Sequence, residues 1–108
     1  MPAPARAFPQ RVTVEHYRPS DTEERYLELV GATDSPANVQ ASTTTESTAN
    51  QDQQSARFNV YLPAGVEVSG HDVVIFQGRR LQAQGGGRPM TDFAGRPHHV
   101  EVLAQEVV

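Results

Sequence analysis

The side chains of this 108-residue chain that could do chemistry fall into a few small groups. His98 and His99 are its one adjacent histidine pair, with His16 and His71 elsewhere. Neighbouring residues of a strand point to opposite faces, so the pair is not expected to share a metal. Ser20, Ser55, Ser69, Asp72 and Asp92 supply parts for a Ser/His/Asp arrangement, yet none sits in a nucleophile elbow or a comparable local signature. Gly85-Gly86-Gly87-Arg88 has the glycines of a phosphate loop. That chemistry needs a lysine followed by Ser or Thr at the start of a helix, and the chain has no lysine, so the run reads as a hinge or tight turn. Arg79, Arg80, Arg88 and Arg96 form the last group. They read either as a solvated face or as contacts to acidic groups of a neighbouring subunit or partner, for which the planar guanidinium is suited. Few aromatics interleave with them, so a base-stacking surface is not expected. No catalytic residue, metal site or cofactor is expected, and the chain is not expected to be an enzyme.

The elements that must position these groups are strands. Arg11–Tyr17 alternates, with Val12, Val14 and His16 on one side. After a turn at Arg18–Asp21, Glu24–Val30 reads as a strand returning beside the first, with Leu27 and Leu29 inward. Arg57–Leu62 alternates again, with Phe58, Val60 and Leu62 inward, and Val66–His71 reads as a connector. Asp72–Gln77 is apolar on both faces, as in a strand buried on both sides. Gly78-Arg79 reads as a tight turn into Arg80–Gln84, with Leu81 and Ala83 inward. Arg88–Pro97 reads as a loop with one helical turn at Thr91–Ala94. His98–Val108 closes the chain as a long strand with Val100, Val102 and Ala104 on one face. The expected fold is therefore all-β: a single domain, most simply a small antiparallel β-barrel of about six strands, with a sandwich as the alternative.

Composition narrows the function classes. Hydrophobic residues make up 37% of the chain, a low share that leaves room for burial supplied by neighbouring subunits. There is no cysteine, which excludes disulfides and thiolate metal sites. The net charge of −4 argues against nucleic-acid binding as the main task. No stretch approaches the ~20 apolar residues that cross a bilayer as a helix, and Met1–Gln10 has no apolar run of signal-peptide length, so a soluble protein made in a cytoplasm is expected, without membrane contact. Residues 1–10, rich in proline, read as an N-terminal arm, either frayed or laid on a neighbouring subunit.

Asp34–Ser55 changes character. Val39 is its one large apolar residue, Thr43, Thr44 and Thr45 are followed by Glu46 and Asp52, and it holds no arginine. Such a segment cannot offset its own ordering entropy, and long loops of this kind are often functional. It is expected to project from the barrel between two strands.

The run Asp72-Val73-Val74-Ile75-Phe76-Gln77-Gly78-Arg79-Arg80-Leu81-Gln82-Ala83, then Gly85–Arg88, then Gly95-Arg96-Pro97-His98-His99-Val100-Glu101-Val102, resembles the head-to-tail stopper, or head-completion, proteins of long-tailed bacteriophages. The resemblance covers roughly the last half of the chain. It implies a small β-barrel that assembles as a homo-oligomeric ring, six copies or alternatively twelve, in the virion neck after synthesis in the host cytoplasm. The ring would lie below the portal and adaptor and above the tail terminator or tail tube. Packaged double-stranded DNA would pass through its channel without sequence-specific binding. By the same resemblance Asp34–Ser55 matches the loop that projects into the channel and helps retain DNA, making Asp34, Val39, Thr43, Thr44, Thr45, Glu46 and Asp52 the gating candidates. This chain departs from the pattern in the polarity of that segment, which offers little for a hydrophobic plug. A ring of acidic loops would instead present a negative wall past which phosphates slide. Competing expectations are a tail terminator or other connector-ring subunit, and a small β-barrel binding module.

Overall fold

A computed structural model of the chain describes residues 2–22, 26–42 and 56–107. Seven strands carry the described fold: β1 (Gln10–Pro19), β2 (Leu27–Ala41), β3 (Arg57–Pro63), β4 (Val73–Phe76), β5 (Arg79–Ala83), β6 (Arg88–Thr91) and β7 (Pro97–Glu106). They form one sheet in the order β3-β2-β1-β4-β5-β7-β6. An antiparallel ladder between β3 and β7, from Arg57↔Gln105 to Pro63↔His99, closes six of them into a barrel. Every other pairing is antiparallel as well.

The period-2 patterns define the barrel interior. Val12 and Val14 of β1, Phe58, Val60 and Leu62 of β3, Leu81 and Ala83 of β5, and Val100, Val102 and Ala104 of β7 share one buried cluster with Val74 and Phe76 of β4. Val73 is buried too, so β4 is covered on nearly both sides as its apolar run requires. Each of the large side chains contributes roughly 1.5–3 kcal/mol by leaving water.

Turn chemistry places the strand ends. Gln77 and Gly78 both take a left-handed backbone, at φ 51° and 77°. They make the two-residue turn that suits a twisted hairpin. The turn thus lies one residue earlier than the sequence indicates, and Arg79 is already in β5 opposite Phe76. The glycine run serves close approach. The Gly87 N–H donates to the Val68 carbonyl at 2.8 Å, and a Cβ at Gly87 would lie 2.8 Å from Val100 Cγ1. These glycines let the chain lie against the 64–72 connector and the barrel wall.

Four expectations are corrected. Arg88–Thr91 is a strand and not a loop. β5 pairs with β7 only at residues 104–106, and β6 takes up the edge of β7 that this leaves open. The helical turn expected at Thr91–Ala94 is replaced by a hairpin connection, in which the Asp92 carboxylate accepts from the Ala94 and Arg96 N–H groups. The N-terminal arm lies on its own barrel: Ala3 N–H donates to the His98 carbonyl, Ala5–Ala7 forms a 3-10 turn, and Phe8 is buried. One buried aromatic, the Ala3–His98 backbone bond and a bond from Asn38 Nδ2 to the Ala7 carbonyl dock this short segment. The polar segment expected to loop out from Asp34 continues as β2 through Ala41. Its small residues Ser35 and Ala37 still alternate inward and are buried, which ladder bonds to β1 and β3 reward despite the low hydropathy.

The two ends of the barrel differ. β2 runs from a hairpin with β1, Pro19↔Leu27, to the departure of the 43–55 segment. At that departure the Ser42 N–H donates to the Arg57 carbonyl at 2.8 Å. The chain therefore leaves β2 and enters β3 through one narrow neck.

Candidate functional site

The most distinctive surface is the far end of the β1–β2 hairpin. β4 covers β1 only at Thr13–Glu15, and β3 pairs with β2 only at Asn38–Ala41. Beyond those limits the two strands continue as a ribbon with no third strand among the described residues. Between His16↔Gly31 and Tyr17↔Leu29 the register shifts, leaving Val30 as an extra residue of β2. Such a bulge bends the ribbon and breaks the inward–outward alternation. The outcome overturns the expectation that Leu27 and Leu29 point inward. Tyr26, Leu27, Leu29 and Val30 are 63%, 46%, 56% and 49% exposed. Among the described residues no opposing layer stands over these side chains.

Asp72 anchors the base of this ribbon. Its residue is 2% exposed. One carboxylate oxygen accepts from the Tyr17 N–H at 3.0 Å and from the Ser69 hydroxyl at 2.8 Å. The other accepts from the Ser69 N–H and from His16 Nδ1, both at 2.9 Å. The bulge frees the Tyr17 amide from the ladder, and the carboxylate satisfies it. Burial by itself pushes the Asp72 carboxyl up, but the hydrogen bonds from Ser69, Tyr17 and His16 together outweigh it and hold the group below the usual carboxylate range.

The other nitrogen of His16 faces the Thr33 hydroxyl at 2.8 Å. A carboxylate only accepts, so Nδ1 carries the proton towards Asp72. The order carboxylate–imidazole–hydroxyl is that of a proton relay. Of the parts noted in the sequence, Ser69, Asp72 and His16 do meet, yet Ser69 donates to Asp72 and not to the imidazole. Ser20 instead bonds Thr22 and Glu28, and Ser55 lies outside the described residues. Two of the four partners of Asp72 are main-chain amides, which marks it as a clamp between β1 and the turn before β4. A shallow cavity of about 310 Å³ lies beside it, lined by His16, Tyr17, Glu67, Ser69 and Asp72.

Three of the four candidate contact arginines are engaged within their own chain. Arg79 makes a two-point pair with Glu106, Nε at 2.9 Å and Nη2 at 2.7 Å, while its guanidinium lies 5.0 Å above the Phe58 ring. The hydrogen bond from Arg79 holds the Glu106 carboxyl below its ordinary range. Arg80 reaches Glu15 at 3.1 Å and the Tyr17 hydroxyl at 3.2 Å. Arg96 lies 3.5 Å from Asp92. Arg88 is exposed on β6. The first pair closes the seam where β3, β5 and β7 meet, near the neck of the 43–55 segment.

His98 and His99 do meet, contrary to the expectation from strand alternation: their Nδ1 atoms are 2.8 Å apart. Met90 pairs with His99 and Thr91 with Pro97, so His98 is an extra residue opposite that step. A bulge of this kind brings consecutive side chains to one side. Among the described residues no group of three or more His, Cys, Asp or Glu is placed to hold a metal ion.

Of the channel candidates, Asp34 lies in β2 and accepts from the Thr13 hydroxyl, and Val39 lies in β2 half-buried against the core. Thr43, Thr44, Thr45, Glu46 and Asp52 lie outside the described residues. The chain matches no family model and has no significant similarity to any curated protein. Two features escaped the sequence reading, the exposed ribbon and the Asp72 clamp. The ribbon had a local signal: Tyr26-Leu27-Glu28-Leu29-Val30 is more apolar than a one-sided strand requires. The clamp joins His16 to Asp72 across the fold and has no local signal.

Proposed function

We propose that the chain is a structural subunit of the bacteriophage neck, a head-to-tail stopper that forms a ring below the portal and adaptor, helps retain packaged DNA and offers a docking surface to the tail. One observation carries the reading. A small closed barrel joins β2 to β3 at one end, where the polar, acidic sequence 43–55 lies between Ser42 and Ala56, and carries an apolar ribbon at the other. A barrel with a packed interior has little use for a ligand inside it, whereas two ends of opposite sequence character suit a subunit that touches different partners at each. Six copies around one axis would give the acidic segment a channel to line, and ring contacts would cover the ribbon. The acidic character of Asp34–Ser55 fits a wall that repels phosphate. The reading assigns no catalysis to the chain.

The test is imaging of purified virions at a resolution that traces the neck, with subunit copy number from the protein mass of the isolated neck. The expected result is a six-fold ring of this chain between adaptor and tail, with residues 43–55 facing the axis. A ring located at the tip of the tail tube would favour the tail-terminator alternative. Finding the chain outside the particle, acting as a single copy, would end the proposal.

A further inference from the structure

The β6–β7 hairpin gathers side chains that bind soft metal ions. The bulge at His98 puts His98 and His99 on one side of β7, with their Nδ1 atoms 2.8 Å apart. The ring centroids are 5.0 Å apart, close to that separation plus the two ring radii, so the nitrogens point at each other along one line. Two bare nitrogens would repel, so a proton stands between them. His99 Nε2 lies 3.4 Å from the Glu101 carboxylate, which only accepts. In the neutral ring this leaves His99 Nδ1 bare and turned towards His98. A carboxylate behind an imidazole is the usual support of a metal-binding histidine.

A third donor stands opposite. Met90 of β6 is paired directly with His99. Paired residues of an antiparallel ladder share a face, with Cβ atoms about 5 Å apart. The Met90 side chain is therefore on the face of the His99 ring, and the residue is 38% exposed. Beside the histidines lies a shallow cavity of about 350 Å³, lined by Thr91, Asp92, Phe93, His98 and His99.

The donor set selects the ion. Two imidazoles and a thioether carry no charge. Glu101 is engaged behind His99 and stands opposite Arg88 in the ladder, while Asp92 accepts from the Ala94 and Arg96 N–H groups and lies beside the Arg96 guanidinium. Among the described residues no further His, Cys, Asp or Glu completes a group of three with the two histidines. Zinc in a protein site ordinarily takes three or four such ligands, whereas a thioether with imidazoles suits copper(I).

From this arrangement we infer that His98, His99 and Met90 hold one copper(I) ion, with Glu101 as the positioning residue behind His99. The ion takes the place of the shared proton, which His98 keeps by moving it from Nδ1 to Nε2, so none is released. Bonds of about 2 Å to each nitrogen require the two rings to swing apart. The site lies within one chain and stands whether or not a ring forms.

The test is anaerobic titration of the full chain with copper(I) against bicinchoninate, a coloured chelator, followed by X-ray absorption at the copper edge. The expected result is one ion per chain with two nitrogen neighbours and one sulfur. His98→Ala and His99→Ala are each expected to weaken binding ~10-fold or more, since losing a ligand costs at least what losing its outer partner does. Met90→Leu keeps the side-chain volume and should remove the sulfur signal, and His71→Ala should change nothing. Circular dichroism confirms that each variant is folded.

No copper retained by the wild-type chain would overturn the inference, as would zinc held more tightly than copper(I). A wild-type spectrum without sulfur would do the same. So would a sulfur signal that survives Met90→Leu, which would point to Met1, the other methionine of the chain. A loss on His71→Ala equal to that on His98→Ala would place the ion elsewhere and overturn it too.

Discussion

The barrel wall and the projecting ribbon are built from the same two strands, and their fates differ. Val12 and Val14 of β1 are almost fully buried, while Leu27 and Leu29 of β2 stand about half exposed. All four are apolar side chains on an alternating strand. The difference lies in what stands opposite. Val14 sits where β4 flanks β1 and where β3 and β7 close the barrel, whereas the ribbon extends past the other strands of the described residues. Period-2 alternation therefore defines the sides of a strand, and burial requires a second layer that only the closed sheet provides.

The contrast can be broken from the core outward. Leu62→Ala removes a side chain with no exposed surface and is expected to cost about 2–5 kcal/mol of unfolding free energy in urea titrations. Gly87→Ala places a methyl 2.8 Å from Val100 Cγ1, and overpacking there is expected to cost about 1–3 kcal/mol. A neutral effect would mean that the connector retreats freely from the barrel.

Asp72→Asn tests the clamp at the junction of barrel and ribbon. It leaves donors without a full acceptor, at an expected cost of about 1–3 kcal/mol near neutral pH. Because the folded carboxyl lies below its unfolded value, its contribution is complete above the unfolded pKa and disappears as pH falls through the folded one. Thermal melts from pH 7 to pH 2 should therefore show a larger acid-side loss for the wild-type chain than for the variant. Equal losses would remove the clamp from the account. The smallest effect is expected at the ribbon: Leu29→Ser should change monomer stability by no more than about 0.5 kcal/mol. A loss of core size there would show that the ribbon is buried within the monomer.

Legibility in the sequence followed the range of the interactions. The faces of β1, β3, β5 and β7 were readable from alternating residues, and the doubly covered β4 from its unbroken apolar run. β6 was not readable, since Arg88-Pro89-Met90-Thr91 becomes a strand only because β7 has an open edge beside it. The arginines were legible as a group with a pairing role, but their partners Glu106, Glu15 and Asp92 are selected by register. The histidine pair was misjudged because a bulge at His98 suspends the alternation on which the expectation rested.

By itself the sequence determined β1, β3, β4, β5 and β7, which of their faces are apolar, and that a polar, acidic stretch lies between β1 and β3, because these depend on neighbours within a few positions. Tertiary structure alone decided that β3 meets β7, that Asp72 reaches His16, and that an apolar strand end is left facing water. Each of these joins segments far apart along the chain, and such a join is settled by sheet closure and register, which no local pattern encodes.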